Sequence, residues 1–312
     1  SLPQGKAPGV VVSSGSGDPT TTPSVLIRGA GTISAGSGPL IVVDGNIGGS
    51  YNPSDVESVT ILKDAAATGL YGSRAGNGVM IITTKTGKAG KPKIEFSTAV
   101  GTNKASTGNF RLMNTQQLYD YQTSFYTPDP AVLNTNTNWF NEAFRTGMTQ
   151  NYTLSASGGS DKTQYYVSGN YYKEEGTIKN NDKGSYNFRT NLSHNLTSKL
   201  KVAVLFNGIY GKNNYDPAGL LYPAYTNMPI DPAYNTDGFP TDPRVMDTWY
   251  GRDNNNFLHN LQYDQADAKA LDVSTDLNLD YAITRNLSFA TYNRIKIDDD
   301  QSVSFFDKRS SS

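Results

Sequence analysis

Few residues of this chain have the type and spacing that chemistry needs, and those few suggest binding more than bond-making. There is no Cys, which rules out a disulfide framework and a thiolate metal site. Two His, His194 and His259, have no matching partners and leave little room for a His-rich centre. Asp231, Asp237 and Gly238 hint at a Ca²⁺ loop but lack its full ligand spacing. Gly-rich runs around 15–17 and 29–38 have neither Gly-Lys-Ser/Thr nor a strand-to-helix context, so they do not read as phosphate loops. No nucleophile–base pair or carboxylate dyad stands out, so neither an enzyme nor a cofactor is expected. What remains is two arginines, Arg28 and Arg74, and a set of aromatics between predicted strands: Trp139, Tyr215, Tyr222, Tyr225, Trp249 and Tyr250. A guanidinium away from water must be paired or hydrated, and aromatic faces suit sugar rings, peptide side chains or a partner protein.

The elements that must position them come in two textures. Residues 1–92 are dense in Gly and hold four short β-branched runs, Val25–Ile27, Leu40–Val43, Val59–Leu62 and Val79–Thr84. Asn52-Pro53-Ser54-Asp55 reads as a helix start, with Asn as N-cap and Pro at the first position. Asp64-Ala65-Ala66-Ala67 reads as a second, with Asp favourable at the positive end. The block is therefore expected to be a small mixed α+β domain, a pattern that a small soluble module would also show.

From 93 onward, long segments alternate apolar and polar residues. Val273, Thr275, Leu277, Leu279, Tyr281 and Ile283 alternate with Asp272, Ser274, Asp276, Asn278, Asp280 and Ala282; the stretches around Tyr165, Tyr186 and Leu200 behave alike. Period two over ten or more residues predicts long half-buried strands, at 93–103, 149–158, 163–173, 185–196, 199–212, 269–283 and 287–300. Such lengths exceed the usual strand of about 5–6 residues and match the roughly 9–11 that cross a bilayer at a tilt. Tight turns at 159–162, 197–199 and 284–286 alternate with long connections, the longest at 213–268, which shows no clear secondary structure. Short turns at one end and long loops at the other describe an outer-membrane barrel, whereas a soluble β-sandwich or lectin has no reason for that alternation. A mean hydropathy of −0.51 does not argue against it, because a barrel strand shows lipid only every second residue. A net charge of −1 and a pI near 6.1 give no reason to expect nucleic acid. Parity puts Tyr186, Phe188, Leu192, Leu277, Leu279 and Tyr281 on the lipid face. Asn187, Arg189, Asn191, Asp276, Asn278 and Asp280 then face the lumen.

Specific motifs add a family. Gln4-Gly5-Lys6 with Gly9-Val10, Ile27-Arg28-Gly29, Pro39-Leu40-Ile41-Val42-Val43-Asp44-Gly45, Leu62-Lys63-Asp64-Ala65-Ala66-Ala67, Leu70-Tyr71-Gly72-Ser73-Arg74 and Asn77-Gly78-Val79 resemble, in series, the plug domain of SusC/RagA TonB-dependent outer-membrane transporters. Ala75-Gly76 is reversed relative to that pattern, and Ile41 stands where Tyr is common.

The resemblance implies a mixed α+β plug, residues 1–92, inside a transmembrane antiparallel β-barrel of 22 strands, about seven of which fall in 93–312. The chain then reads as an internal portion of a longer protein. The resemblance implies active import of a glycan or oligopeptide beneath a SusD-like surface lipoprotein, driven by TonB through a segment upstream of Ser1, in an outer-membrane lipid setting. It places Arg28, Asp44, Asn46, Tyr51 and Asn52 at a substrate-facing plug apex and Arg28 and Arg74 at plug–barrel contacts. Tyr215, Tyr222, Tyr225, Trp249 and Tyr250 would sit in extracellular loops, toward lid or ligand. A surface adhesin or carbohydrate-binding β-protein without transport would share the Tyr content and long loops, but not the plug motifs.

Overall fold

The computed structural model describes residues 10–13, 18–21, 24–27, 38–63, 69–106, 108–217, 219–246, 248–251 and 255–310. Arg28, the 15–17 and 29–37 Gly-rich runs and the predicted helix start at Asp64–Ala67 lie outside them.

In the N-terminal block, β1 (Val10–Ser13) and β2 (Ser24–Ile27) form an antiparallel pair. β3 (Leu40–Val43), β4 (Asn46–Ile47), β5 (Val56–Leu62) and β6 (Val79–Thr84) form a four-stranded sheet in the order β4-β3-β6-β5. β3 and β6 run parallel, and both faces of their sheet are covered. Val42 and Val79 pack with Ala75 on one face, Val43 with Met80 and Ile82 on the other. Burial on both faces is why these strands read as unbroken apolar runs. Asp44-Gly45 turns β3 into β4 with φ of 50° and 87°, the left-handed pair that a two-residue type I′ hairpin needs. The predicted helix at Asn52 is a single 3-10 turn, Pro53–Asp55, capped by the Asn52 side chain on Ser54 N at 2.9 Å. It stops there because β5 begins at Val56, earlier than expected, and its backbone is already committed to β6.

Seven long strands follow: β7 (Gly90–Asn103), β8 (Gly147–Gly159), β9 (Thr163–Glu175), β10 (Asp182–Asn195), β11 (Leu200–Asn214), β12 (Gln265–Ala282) and β13 (Ser288–Phe305). Each pairs antiparallel with its sequence neighbour in one sheet, a wall ordered β13 to β7. The expected parity holds. Arg189, Asn191, Asp276 and Asn278 are buried against the N-terminal block, while Tyr186, Phe188, Leu192, Leu277 and Tyr281 are exposed on the opposite face. That outer face is apolar across the wall, with Ile94 and Phe96 on β7 and Ile295 and Ile297 on β13.

The tight turns lie at one end of the wall. At the other end the long connections are structured, contrary to the reading of 213–268 as lacking secondary structure. The 104–146 loop holds α1 (Thr115–Gln122) and α2 (Trp139–Ala143). The 215–264 loop holds α3 (Leu221–Thr226), a 3-10 turn (Pro243–Val245) and α4 (Phe257–Asn260). The helices are too short to show a periodic face, and they are stabilised by packing between loops.

Candidate functional site

Two regions bring polar or aromatic side chains together: the contact between the N-terminal block and the wall, and the packed loops above it. At the first, the Asp44 carboxylate accepts from Thr84 N at 2.9 Å and Thr84 Oγ1 at 2.8 Å. Arg189 on β10 reaches the same carboxylate at 2.5 Å and donates to Thr84 Oγ1 at 2.7 Å. Asn191, two residues on and on the same face, donates to Lys85 O at 2.7 Å. The left-handed turn at Asp44 is what aims the carboxylate at β6 and the wall. A second buried carboxylate, Asp55, accepts from Tyr166 Oη at 2.8 Å and Ser168 Oγ at 2.6 Å, both on β9. Ser50 donates to Asp272 on β12, and Arg294 on β13 grips Asp276 with two bonds of 2.5 and 2.6 Å. Backbone fit matches the polar fit: a Cβ on Gly49 would lie 2.4 Å from Arg294 Nη1, and one on Gly87 2.3 Å from Tyr165 N. The block is thus held against the wall by bonds to three strands, β9, β10 and β12.

Above, the two longest loops share one apolar core of Trp139, Ala143, Leu220, Ala224, Ala233, Phe257 and Leu258. Trp139 is buried, donates to Met228 O at 2.9 Å, and meets the rings of Phe257 and Trp249 edge-on at 5.5 and 5.9 Å. Beside this core lies a cleft of about 700 Å³ between 105–118, 136–144 and 225–229. Phe110, Phe140 and Tyr225 form its aromatic wall, with Tyr225 4.8 Å from Phe140 and 5.4 Å from Phe110. Asn136, Asn138 and Arg111 supply polar groups along it. Asp231 is fully buried among these loops. Burial raises its pKa to about 6, against the opposing pull of the backbone N–H groups of Tyr250, Met228 and Gly251. Asp237 is exposed, so the two do not come together as metal ligands; among the described residues there is no cluster of three or more His, Cys, Asp or Glu able to hold a metal.

The residues singled out from sequence separate accordingly. Asp44 and Asn52 are engaged, one with Arg189 and the other as a helix cap. Asn46 and Tyr51 are half-buried at the β4 end of the sheet. Arg74 is exposed in a 3-10 turn, Gly72–Ala75. Tyr222, Tyr225 and Tyr250 are exposed on the loops, whereas Trp249 packs against the loop core and Tyr215 continues the β11–β12 ladder through its N–H to Ala266 O at 2.9 Å. The sequence reading did not single out Thr84, Asp55, Ser50 or Tyr166. Of these only Asp55 carried a local hint, as the acidic residue in the turn that Asn52 caps.

Residues 2–79 match the TonB-dependent Receptor Plug Domain. The chain is 35% identical over 250 residues to TonB-dependent receptor P3 of Formosa agariphila, covering 75% of this chain and 24% of that protein. It is 33% identical over 250 residues to TonB-dependent receptor SusC of Bacteroides thetaiotaomicron, covering 75% of this chain and 25% of that protein. In fold it superposes on the structure of the RagAB peptide transporter with a TM-score of 0.82 over 96% of this chain and 39% of that one, at 24% identity. The chain carries a TonB-dependent receptor plug domain and is similar, over three quarters of its length, to TonB-dependent receptors that include SusC. It spans about a quarter of the length of the curated relatives it matches. In family terms the N-terminal block is the plug, the seven strands are part of the barrel wall, and the buried polar contacts are plug–barrel contacts.

Proposed function

We propose that the protein containing this chain imports a glycan or oligopeptide across the bacterial outer membrane. Residues 1–92 act as plug, and 93–312 supply wall strands and extracellular loops. The observation that carries this reading is the Asp44–Arg189 contact, which seats the plug on the polar inner face of a wall whose outer face is apolar. That arrangement suits a sealed lumen in lipid, and it gives an adhesin nothing to do. The long loops lie over the end where ligand enters. Tyr225, in the cleft with Phe110 and Phe140, is the aromatic best placed to stack on a sugar ring or a peptide side chain, and exposed Tyr222 and Tyr250 offer anchors to a SusD-like lipoprotein lid. Asn46 and Tyr51 present the plug apex to the same space, while Asp44 and Asn52 hold its shape. TonB would act on the plug from the tight-turn side. The mechanism is conformational, and no covalent step is invoked.

The reading is tested by purifying the full-length protein with whatever lipoprotein and ligand accompany it, and identifying both by mass spectrometry. A co-purifying lipoprotein and a bound oligosaccharide or peptide, the latter lost in Tyr225→Ala, are expected. A monodisperse protein with neither, and with growth on the candidate nutrients unaffected by gene deletion, would reject it.

A further inference from the structure

The outer face of the wall carries two neighbouring rows with opposite character. At one level, four tyrosines stand side by side across four strands: Tyr152 opposite Tyr171, Tyr171 opposite Tyr186, and Tyr186 opposite Tyr210. The rings of Tyr152, Tyr171 and Tyr186 touch in turn, with centroids 6.4 Å apart for Tyr152–Tyr171 and 5.1 Å for Tyr171–Tyr186. One side-chain step toward the long-loop end, the same face presents Lys173, Gly184, Lys212 and Lys269 on successive strands β9 to β12. Lys173 is paired with Glu175 at 2.9 Å. Lys212 and Lys269 are directly opposite each other in the ladder, both exposed, and neither makes an ion pair among the described residues.

Like charges directly opposite on paired strands are unfavourable, because their Cβ atoms are only about 5 Å apart. The nearby carboxylates do not resolve the clash. Asp182 is bonded to Arg145 and Glu175 to Lys173, and Asp267, two residues from Lys269 and diagonal to Lys212 across the ladder, closes an ion pair with neither among the described residues. Gly184 adds a second feature: it sits between Lys173 and Lys212 and leaves a gap one side chain wide. The result is an open cationic notch directly above an aromatic row, at the upper edge of an apolar band. Tyrosine rows mark the membrane–water boundary, so the notch lies at headgroup depth.

We infer that Lys212 and Lys269, with the gap at Gly184, form a binding site for the phosphorylated headgroup of an outer-leaflet lipid. The inference rests on the reading that the outer face meets a bilayer. The anion offsets the repulsion between the two ammonium groups, and the acyl chains lie along the apolar face below, past Phe188 and Val204. Either of two sources, a lipid or free phosphate, could supply the phosphate, and the position over the tyrosine row favours the lipid.

The test uses the detergent-solubilised full-length protein, wild type and K212Q/K269Q, with native mass spectrometry against bis-phosphorylated lipid A, dephosphorylated lipid A and inorganic phosphate. Lipid A retention is expected to fall roughly tenfold or more in the double variant, since each interfacial Lys contributes separately. It should recover in K212R/K269R, and neither enzymatic dephosphorylation of the lipid nor the double substitution should matter once the other is made. Equal retention by wild type and K212Q/K269Q would overturn the site, and so would competition by millimolar phosphate, which would mark it as an ion site. A heat-modifiable gel shift, present in both proteins, shows that the barrel reading stands whichever way the lipid result falls; its absence from wild type would remove the premise instead.

Discussion

Asp44 and Arg189 are 145 residues apart in sequence, yet the Asp44 carboxylate and an Arg189 Nη meet at 2.5 Å with both side chains nearly closed to water. One sits on a strained turn of the plug, the other on a wall strand, so the pair couples plug position to wall register. A buried pair of this kind adds little stability by itself, but removal of one partner strands a charge, at a cost of about 3–5 kcal/mol. In the full-length protein, Arg189→Leu and Asp44→Asn should each speed hydrogen exchange in β3 and β6, and the double variant should exchange more slowly than the sum of the two predicts. Additive effects would show that the two residues do not act as a unit.

Gly87 tests the backbone fit. A methyl group there would lie 2.3 Å from Tyr165 N and 2.4 Å from Tyr165 O, which are main-chain atoms of β9 and cannot swing away. Gly87→Ala should cost about 1–3 kcal/mol of plug seating, read as new protease cleavage between 84 and 90. Gly48→Ala, which meets nothing within 4 Å, is the space control, although its φ of 71° adds a smaller backbone strain.

Trp139 holds the two long loops together. Trp139→Ala removes a fully buried indole and leaves Met228 O without its donor, for an expected loss of about 3–5 kcal/mol. Both 104–146 and 215–264 should then become protease-sensitive together while the heat-modifiable shift of the barrel is kept. Cleavage confined to one loop would contradict the shared core. By the same logic, excision of 215–264 exposes Trp139, so point substitutions at Tyr222, Tyr225 and Tyr250 are the cleaner probes of binding.

Asp231 gives the loops a pH dependence. Its pKa is raised by burial from an ordinary 3.8 to about 6, so the folded loop holds the proton more tightly than the unfolded one. The corresponding stability is complete below about pH 4 and is lost as pH rises through about 6. Hydrogen exchange at Trp249–Gly251, corrected for intrinsic rate, should therefore accelerate between pH 4.5 and 7.5. Asp231→Asn keeps an acceptor for Tyr250 N–H and should flatten the profile. An unchanged profile in that variant would assign the effect to another group.

The wall was legible because its signal is local. Alternation at Asp272–Ile283 and Tyr186–Leu192 reflects one polar and one apolar environment acting on every second side chain, and the strands came out within a few residues of their expected ends. The loop helices were not legible as helices, since they run only four to eight residues. Their caps were present: Asn114 and Gln117 form a reciprocal capping box, and Asn138 and Asn256 each cap a helix. A cap without an apolar stripe is weak when read alone, and here the stabilising contact lies between Trp139 and Phe257, more than a hundred residues apart.

The plug shows the same division. Its strands, its family and the Asp44-Gly45 turn are set by short motifs, because β-branched runs and a left-handed Asp-Gly pair depend on neighbours alone. Which carboxylate meets which cation is not set that way. Asp44 finds Arg189 and Thr84, Asp55 finds Tyr166 and Ser168, and Lys212 confronts Lys269, only once the register of seven strands and the seating of the plug are settled. The sequence by itself determined the period, the caps and the class of protein. The tertiary structure decided the pairings, because a charge has no preferred partner until the fold removes water from all but one.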